Sequence, residues 1–113
     1  GSIQALSFSP DGNLLASAST DDTVRIWNIT TGTCIATHTG HIEGARALAF
    51  SPNDAQFASA DGNGTIFLRD TSHENCLHTI QGHADQISSL TFSNDGTELL
   101  SASHDGKARV WKL

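Results

Sequence analysis

Short apolar runs recur along the chain, and each is closed by turn-forming residues. ALSF (5–8), ALAF (47–50) and SLTF (89–92) lead into Ser9-Pro10-Asp11-Gly12, Ser51-Pro52-Asn53-Asp54 and Ser93-Asn94-Asp95-Gly96. LLASAS, QFASAD and LLSASH follow, with small residues at alternate positions. Next come Asp21-Asp22, Asn63-Gly64 and Asp105-Gly106. Asn-Gly and Asp-Gly supply the positive φ angles of a two-residue hairpin turn. TVRIW, TIFLR and KARVW then alternate, and CIATH and CLHTI precede Gly-His. Alternation over four to six residues between turn signals predicts strands. No helical stripe or heptad interrupts them. Each unit therefore reads as four antiparallel strands.

The units share one register. Residues 3–29, 45–71 and 87–113 align without a gap at a period of 42 residues. Phe8, Phe50 and Phe92 keep that spacing, as do Ser17, Ser59 and Ser101. Gly40-His41 and Gly82-His83 keep it too, as do Cys34 and Cys76. Such periodicity marks a repeat architecture. The units are 3–44, 45–86 and 87–113, and the third lacks its outer strand.

A period of this length, with four strands, Gly-His and Trp-Asp-like ends, resembles the WD-repeat β-propeller family. The dipeptide itself is worn: it reads Trp27-Asn28, Arg69-Asp70 and Trp111-Lys112. The resemblance covers nearly the whole chain. It implies an all-β fold of antiparallel four-stranded WD-repeat propeller blades, in three units.

The resemblance also implies a buried hydrogen-bonded quartet. It joins the His of Gly-His, a Ser of the second strand, the turn Asp and the Trp. The third unit matches with His83, Ser101, Asp105 and Trp111. The first matches with Ser17, Asp21 and Trp27, and its His falls before residue 1. The second has His41 and Ser59, with Asn63 for the Asp and Arg69 for the Trp, so its quartet reads as degraded. Recurring Ser, His and Asp raise the remote alternative of a Ser/His/Asp hydrolase. A nucleophile needs one special copy on an exposed, strained turn. Here the set recurs with the period, so no catalytic residue is assigned.

Side chains two apart on a strand share a face. The third strands read Arg25-x-Trp27, Phe67-x-Arg69 and Arg109-x-Trp111. Two readings stand for the middle unit. Either it keeps a cation–aromatic pair in reversed order, worth about 0.5–1 kcal/mol, or the site has drifted after losing its Trp.

Charge and cysteine content narrow the function classes. The 113 residues carry a net charge of -6, which argues against nucleic acid. No apolar run approaches the roughly 18 residues of a membrane span. Two cysteines, Cys34 and Cys76, point to a reducing, intracellular and cytoplasmic compartment and to free thiols. Cys34-x3-His38-x2-His41 has near-metal spacing, but His41 belongs to the quartet and His38 aligns with Ile80. No metal or cofactor is expected, since zinc wants four converging ligands.

Closed propellers use about 4–8 blades, so three units leave two apolar faces open. Two arrangements follow: self-association into a ring, with a dimer favoured, or an excised, purely structural piece of a longer propeller with no ligand of its own. The reading carried forward is a non-catalytic scaffold that binds protein or peptide on one face. The family pattern places contacts after Gly-His and before the turn Asp. Carried over, these are Gln4, Gly44, Arg46, Gln86 and Ser88, with Thr20, Gly62 and His104.

Overall fold

The computed structural model describes residues 2–41, 43–53, 56–71, 76–81, 83 and 85–113, and for residues 76 and 77 the backbone alone. These residues form strands and turns, with no helix among them. Blade 1 is β1 (Ile3–Phe8), β2 (Leu14–Ser19), β3 (Val24–Asn28) and β4 (Thr33–His38). Blade 2 is β5 (Ala45–Phe50), β6 (Gln56–Asp61), β7 (Thr65–Asp70) and β8 (Cys76–Gln81). Blade 3 is β9 (Ile87–Phe92), β10 (Glu98–Ser103) and β11 (Ala108–Lys112). Each sheet is antiparallel, and its strands are hydrogen-bonded in sequence order.

The register repeats along with the residues. Leu6 pairs with Ser17, Leu48 with Ser59 and Leu90 with Ser101. Even the irregularities recur. The first-to-second strand pairing slips at Ile3/Ala5, at Ala45/Ala47 and at Ala102/Ser103. The third-to-fourth pairing slips at Ile26/Trp27 and at Leu68/Arg69. Irregularities of the bulge type raise the local twist of a sheet, and here they recur at equivalent positions.

The apolar core lies between the sheets. Blade 1 offers Ala16, Ala18, Val24, Ile26 and Ala36, and Phe50 and Phe57 of blade 2 pack into that surface. Blade 2 in turn offers Ala58, Ala60, Ile66 and Leu68 to Ile87, Leu90 and Leu99 of blade 3. Successive side chains of a strand point to opposite faces, so β6 turns Phe57 to blade 1 and Ala58 and Ala60 to blade 3. Alanines on the second strand let the next sheet come close enough for bulky residues to fill the gap. Blade 2, covered on both sides, is the best-buried unit.

One glycine is required by close approach. Gly64 sits at φ +83, and a Cβ there would lie 2.0 Å from the His83 carbonyl oxygen. The same contact carries a hydrogen bond from His83 N to Gly64 O. It ties the β6–β7 turn to the segment that enters blade 3.

Phe57 is fully buried, and truncating a buried aromatic costs about 3–5 kcal/mol. Phe57→Ala is therefore expected to lower unfolding stability by that amount, read by urea titration at neutral pH.

Candidate functional site

The polar networks form at the turn ends of the sheets. In blade 3, His83 Nδ1 lies 2.9 Å from Asp105 Oδ2, and Nε2 lies 2.7 Å from Ser101 Oγ. Trp111 Nε1 donates to the same Ser101 Oγ at 3.0 Å. A carboxylate only accepts and an indole N–H only donates. One arrangement satisfies all four groups: Trp111 N–H to Ser101 Oγ, Ser101 O–H to His83 Nε2, and His83 Nδ1–H to Asp105. In blade 1, Trp27 Nε1 donates to Ser17 Oγ at 2.9 Å. Asp21 there accepts from the Thr23 N–H and hydroxyl, and Arg25 reaches it at 3.4 Å. The Thr23 hydroxyl foremost, with the Thr23 N–H, Ser19 and Arg25, holds the Asp21 carboxyl down to about 2.

Blade 2 lacks the Trp, as expected, but its carboxylate is present at another position. His41 Nε2 lies 2.6 Å from Ser59 Oγ, and His41 Nδ1 lies 3.1 Å from Asp61 Oδ2. The carboxylate has moved two residues upstream, from the position of Asn63 to that of Ser19 and Ser103. Asp61 Oδ1 accepts from the N–H groups of Asn63 and Thr65, both at 3.0 Å. In blade 3 those tasks are divided: Ser103 Oγ accepts from Asp105 N, and Asp105 Oδ1 accepts from Lys107 N. One side chain thus does the work of two, and the backbone of the turn is fixed in the same way. Asp61 was missed because an alignment by position compares only like with like. The signal lay in the final Asp of QFASAD, where the siblings carry Ser19 and Ser103.

Arg69 and Phe67 fill the place of the missing Trp. The Arg69 guanidinium carbon lies 4.7 Å from the Phe67 ring centroid. Arg69 also donates to the Thr39 carbonyl and is buried. Phe67 meets His41 edge-on at 4.8 Å. The pair is not a reversed copy of a sibling pair, however. Arg25 turns to Asp21, and among the described residues the cation–aromatic contact is recorded for blade 2 alone.

The candidate contact residues converge in pairs along one rim. Thr20 N donates to Ser2 O, Gly62 N to Gly44 O and His104 N to Gln86 O. Each pair joins the residue before a turn to the residue that precedes the first strand of its blade, again at the repeat period. Gln4, Thr20, Ser88 and His104 are exposed, and Arg46, Gly62 and Gln86 are partly so. Gly44 is buried, so it serves the rim through its backbone: its N–H donates to Asp22 Oδ1 at 2.6 Å. Arg46 Nε donates to the Glu43 carbonyl at 3.2 Å.

The near-metal spacing does not converge. Cys34 is an exposed free thiol, His41 is held by Asp61 and Ser59, and His38 lies against Phe57. Among the described residues no three His, Cys, Asp or Glu side chains gather into a metal-binding group. The side chain of Cys76 lies outside the described residues, so its expected free thiol does too.

Antiparallel sheets of four, four and three strands stacked face to face, two of them with a relay of His, Ser and carboxylate at the turn, define a protein built of WD-repeat blades. The profile of the WD40 family (WD domain, G-beta repeat) matches residues 1–28, 32–70 and 74–112. The chain belongs to that family. Its relatives include the nuclear distribution protein PAC1 of Coccidioides posadasii, 47% identical over 53 residues, covering 40% of this chain and 11% of that protein. PAC1 of Gibberella zeae is 49% identical over 53 residues, covering 40% of this chain and 12% of its own length. Nuclear distribution protein nudF 1 of Talaromyces marneffei is 52% identical over 40 residues, or 35% of this chain and 9% of that protein. The matched stretch thus spans about a tenth of the length of these relatives. The family match supports a protein-interaction scaffold.

Replacing Asp61 by Ser removes the carboxylate that His41, Asn63 and Thr65 share. Unmet buried partners cost about 1–3 kcal/mol, so Asp61→Ser is expected to lose that much stability in urea unfolding. Adding Asn63→Asp should restore most of it, because the double variant reproduces Ser103 and Asp105. A double-mutant cycle reads the coupling.

Proposed function

We propose that the chain is a non-catalytic interaction module that binds a protein or peptide along its rim and uses its two open blade faces for head-to-tail assembly. The observation that carries the assembly is a difference in exposure between equivalent positions. Phe8 is 65% exposed where Phe50 is 8%, and Val110 is 60% exposed where Leu68 is 2%. Leu100 is 43% exposed where Ala58 is fully buried. Within the chain, a Phe50-type face packs on a face of the Ala16 and Ile26 type. The open face of blade 1 is of the first type, and that of blade 3 is of the second. The two would meet in the same order as the internal boundaries, with Leu100 standing where Ala16 and Ala58 lie, and a heterologous contact of this kind closes if the rotation per copy fits. Two copies bring six blades, within the usual range, so a dimer is favoured.

A second reading rests on the short span of the relatives that is matched. In it, further blades of a longer polypeptide cover the same faces, and the chain is a structural portion of that ring. Light scattering of the chain separates the two. A mass of two chains is expected, falling to one with Phe8→Glu. A soluble monomer with a cooperative melt overturns self-association.

A hydrolytic role finds no support in the polar networks. Ser59 and Ser101 are fully buried, and their hydroxyls are committed within the His41 and His83 relays. No substrate carbonyl reaches them without unfolding the blade. An intracellular setting is part of the same reading, supported by relatives named for nuclear distribution.

On the rim, Arg46 is the one cation among the contact candidates. On a chain of charge -6 it is suited to a partner carboxylate or phosphate, for which Arg offers paired donors. Arg46→Ala is expected to weaken partner capture by the assembled chain about tenfold or more, read by quantitative pull-down. Unchanged capture removes Arg46 from the contact.

A further inference from the structure

His38 ends β4 at the boundary between blades 1 and 2, and its counterpart in the second unit is Ile80. The side chain is 1% exposed. Its ring meets Phe57 edge-on, with centroids 5.0 Å apart. Neither ring nitrogen has a hydrogen-bond partner among the described residues. Buried polar groups are ordinarily paired, and the second unit carries the aliphatic Ile80 at this place.

The surrounding groups make a proton costly there. From β7, the Arg69 guanidinium acts on the ring as a like charge, and it donates to the carbonyl of Thr39, the next residue along the chain. From β6 comes the apolar Phe57, while the Asp61 carboxylate is taken up by His41. From β3, His38 pairs with Val24, and the neighbouring Arg25 reaches away to Asp21. The near charge is therefore positive. Burial first, and Arg69 second, push the His38 imidazole down from 6.5 to about 4.

We propose that His38 is an acid-sensitive latch between the first two blades, whose protonation loosens the packing of Phe57 against blade 1. In the unfolded chain the imidazole takes its proton near pH 6.5, and in the folded chain only near pH 4. The stability at stake is complete above pH 6.5 and is lost as the pH falls toward 4. In a stacked repeat array each interface contributes separately, so the loss falls on this boundary. The boundary between blades 2 and 3 has Ile80 at the equivalent place and lacks this response.

The test compares the native chain with His38→Ile, which carries the residue of the second unit, in urea unfolding at pH 7.5 and 5.0. The folding equilibrium constant of the native chain is expected to fall roughly 30-fold more than that of His38→Ile across this interval. The His41 and His83 relays are common to both proteins and cancel. Equal pH dependence in the two proteins overturns the latch. NMR titration of the native chain gives a second reading that does not need the variant to fold. A His38 midpoint below pH 5 is expected, and one near 6.5 overturns the proposal.

Discussion

No blade of this protein can bury its apolar surface alone. A four-stranded sheet of short strands has two faces, and each needs another sheet against it. The constraint sets the residue choice along β2, β6 and β10. Alanines at 16, 18, 58 and 60 keep the sheets close. Phe57 and Leu99 then fill the space from the following blade. The 42-residue period follows from this stacking, because every unit must present the same two surfaces to its neighbours. Blade 2 satisfies the constraint on both sides. Blades 1 and 3 each satisfy it on one, and that asymmetry gives the chain its two open faces.

The polar relays answer a second demand of the same stacking. The N–H groups of the tight turns that join the second and third strands need partners, and most sharply in blade 2, where Thr65 and Gly64 are buried. A carboxylate at the turn meets several of them at once and passes a hydrogen bond through His to Ser. Blade 2 shows that the demand lies in the geometry and not in a particular sequence position. Asp61 takes both tasks that Ser103 and Asp105 divide. With the Trp gone, Phe67 and Arg69 occupy the space, and the guanidinium bonds the Thr39 carbonyl. The carboxylate arm is kept from a new position, while the Trp-to-Ser bond of the siblings has no counterpart among the described residues.

The rim is built from parts that stacking does not use. Along the rim, backbone bonds between Thr20 and Ser2, Gly62 and Gly44, and His104 and Gln86 hold the loops in place. The side chains carried by that scaffold differ from blade to blade: Gln4, Arg46 and Ser88 stand at one equivalent position.

The sequence by itself determined the number of units, the four-strand plan and the strand pairing. These depend on local patterns: alternation, turn chemistry and a period that repeats many times over. The Ser of each relay, and the His and Trp where they are present, were legible for the same reason. Contacts across blade boundaries were decided by the tertiary structure. Asp61 took the part of an Asp expected two residues later, because direction and distance, not position, make a hydrogen bond. Arg25 and Arg69 differ in what they meet for the same reason. Gly44 looked like a surface contact and is buried by the neighbouring turn. His38 stood out in the sequence only for its near-metal spacing from Cys34, a spacing that predicted no metal. Only the packing of β6 and β7 against β4 placed it, without a hydrogen-bond partner for either nitrogen among the described residues, between an aromatic ring and a cation.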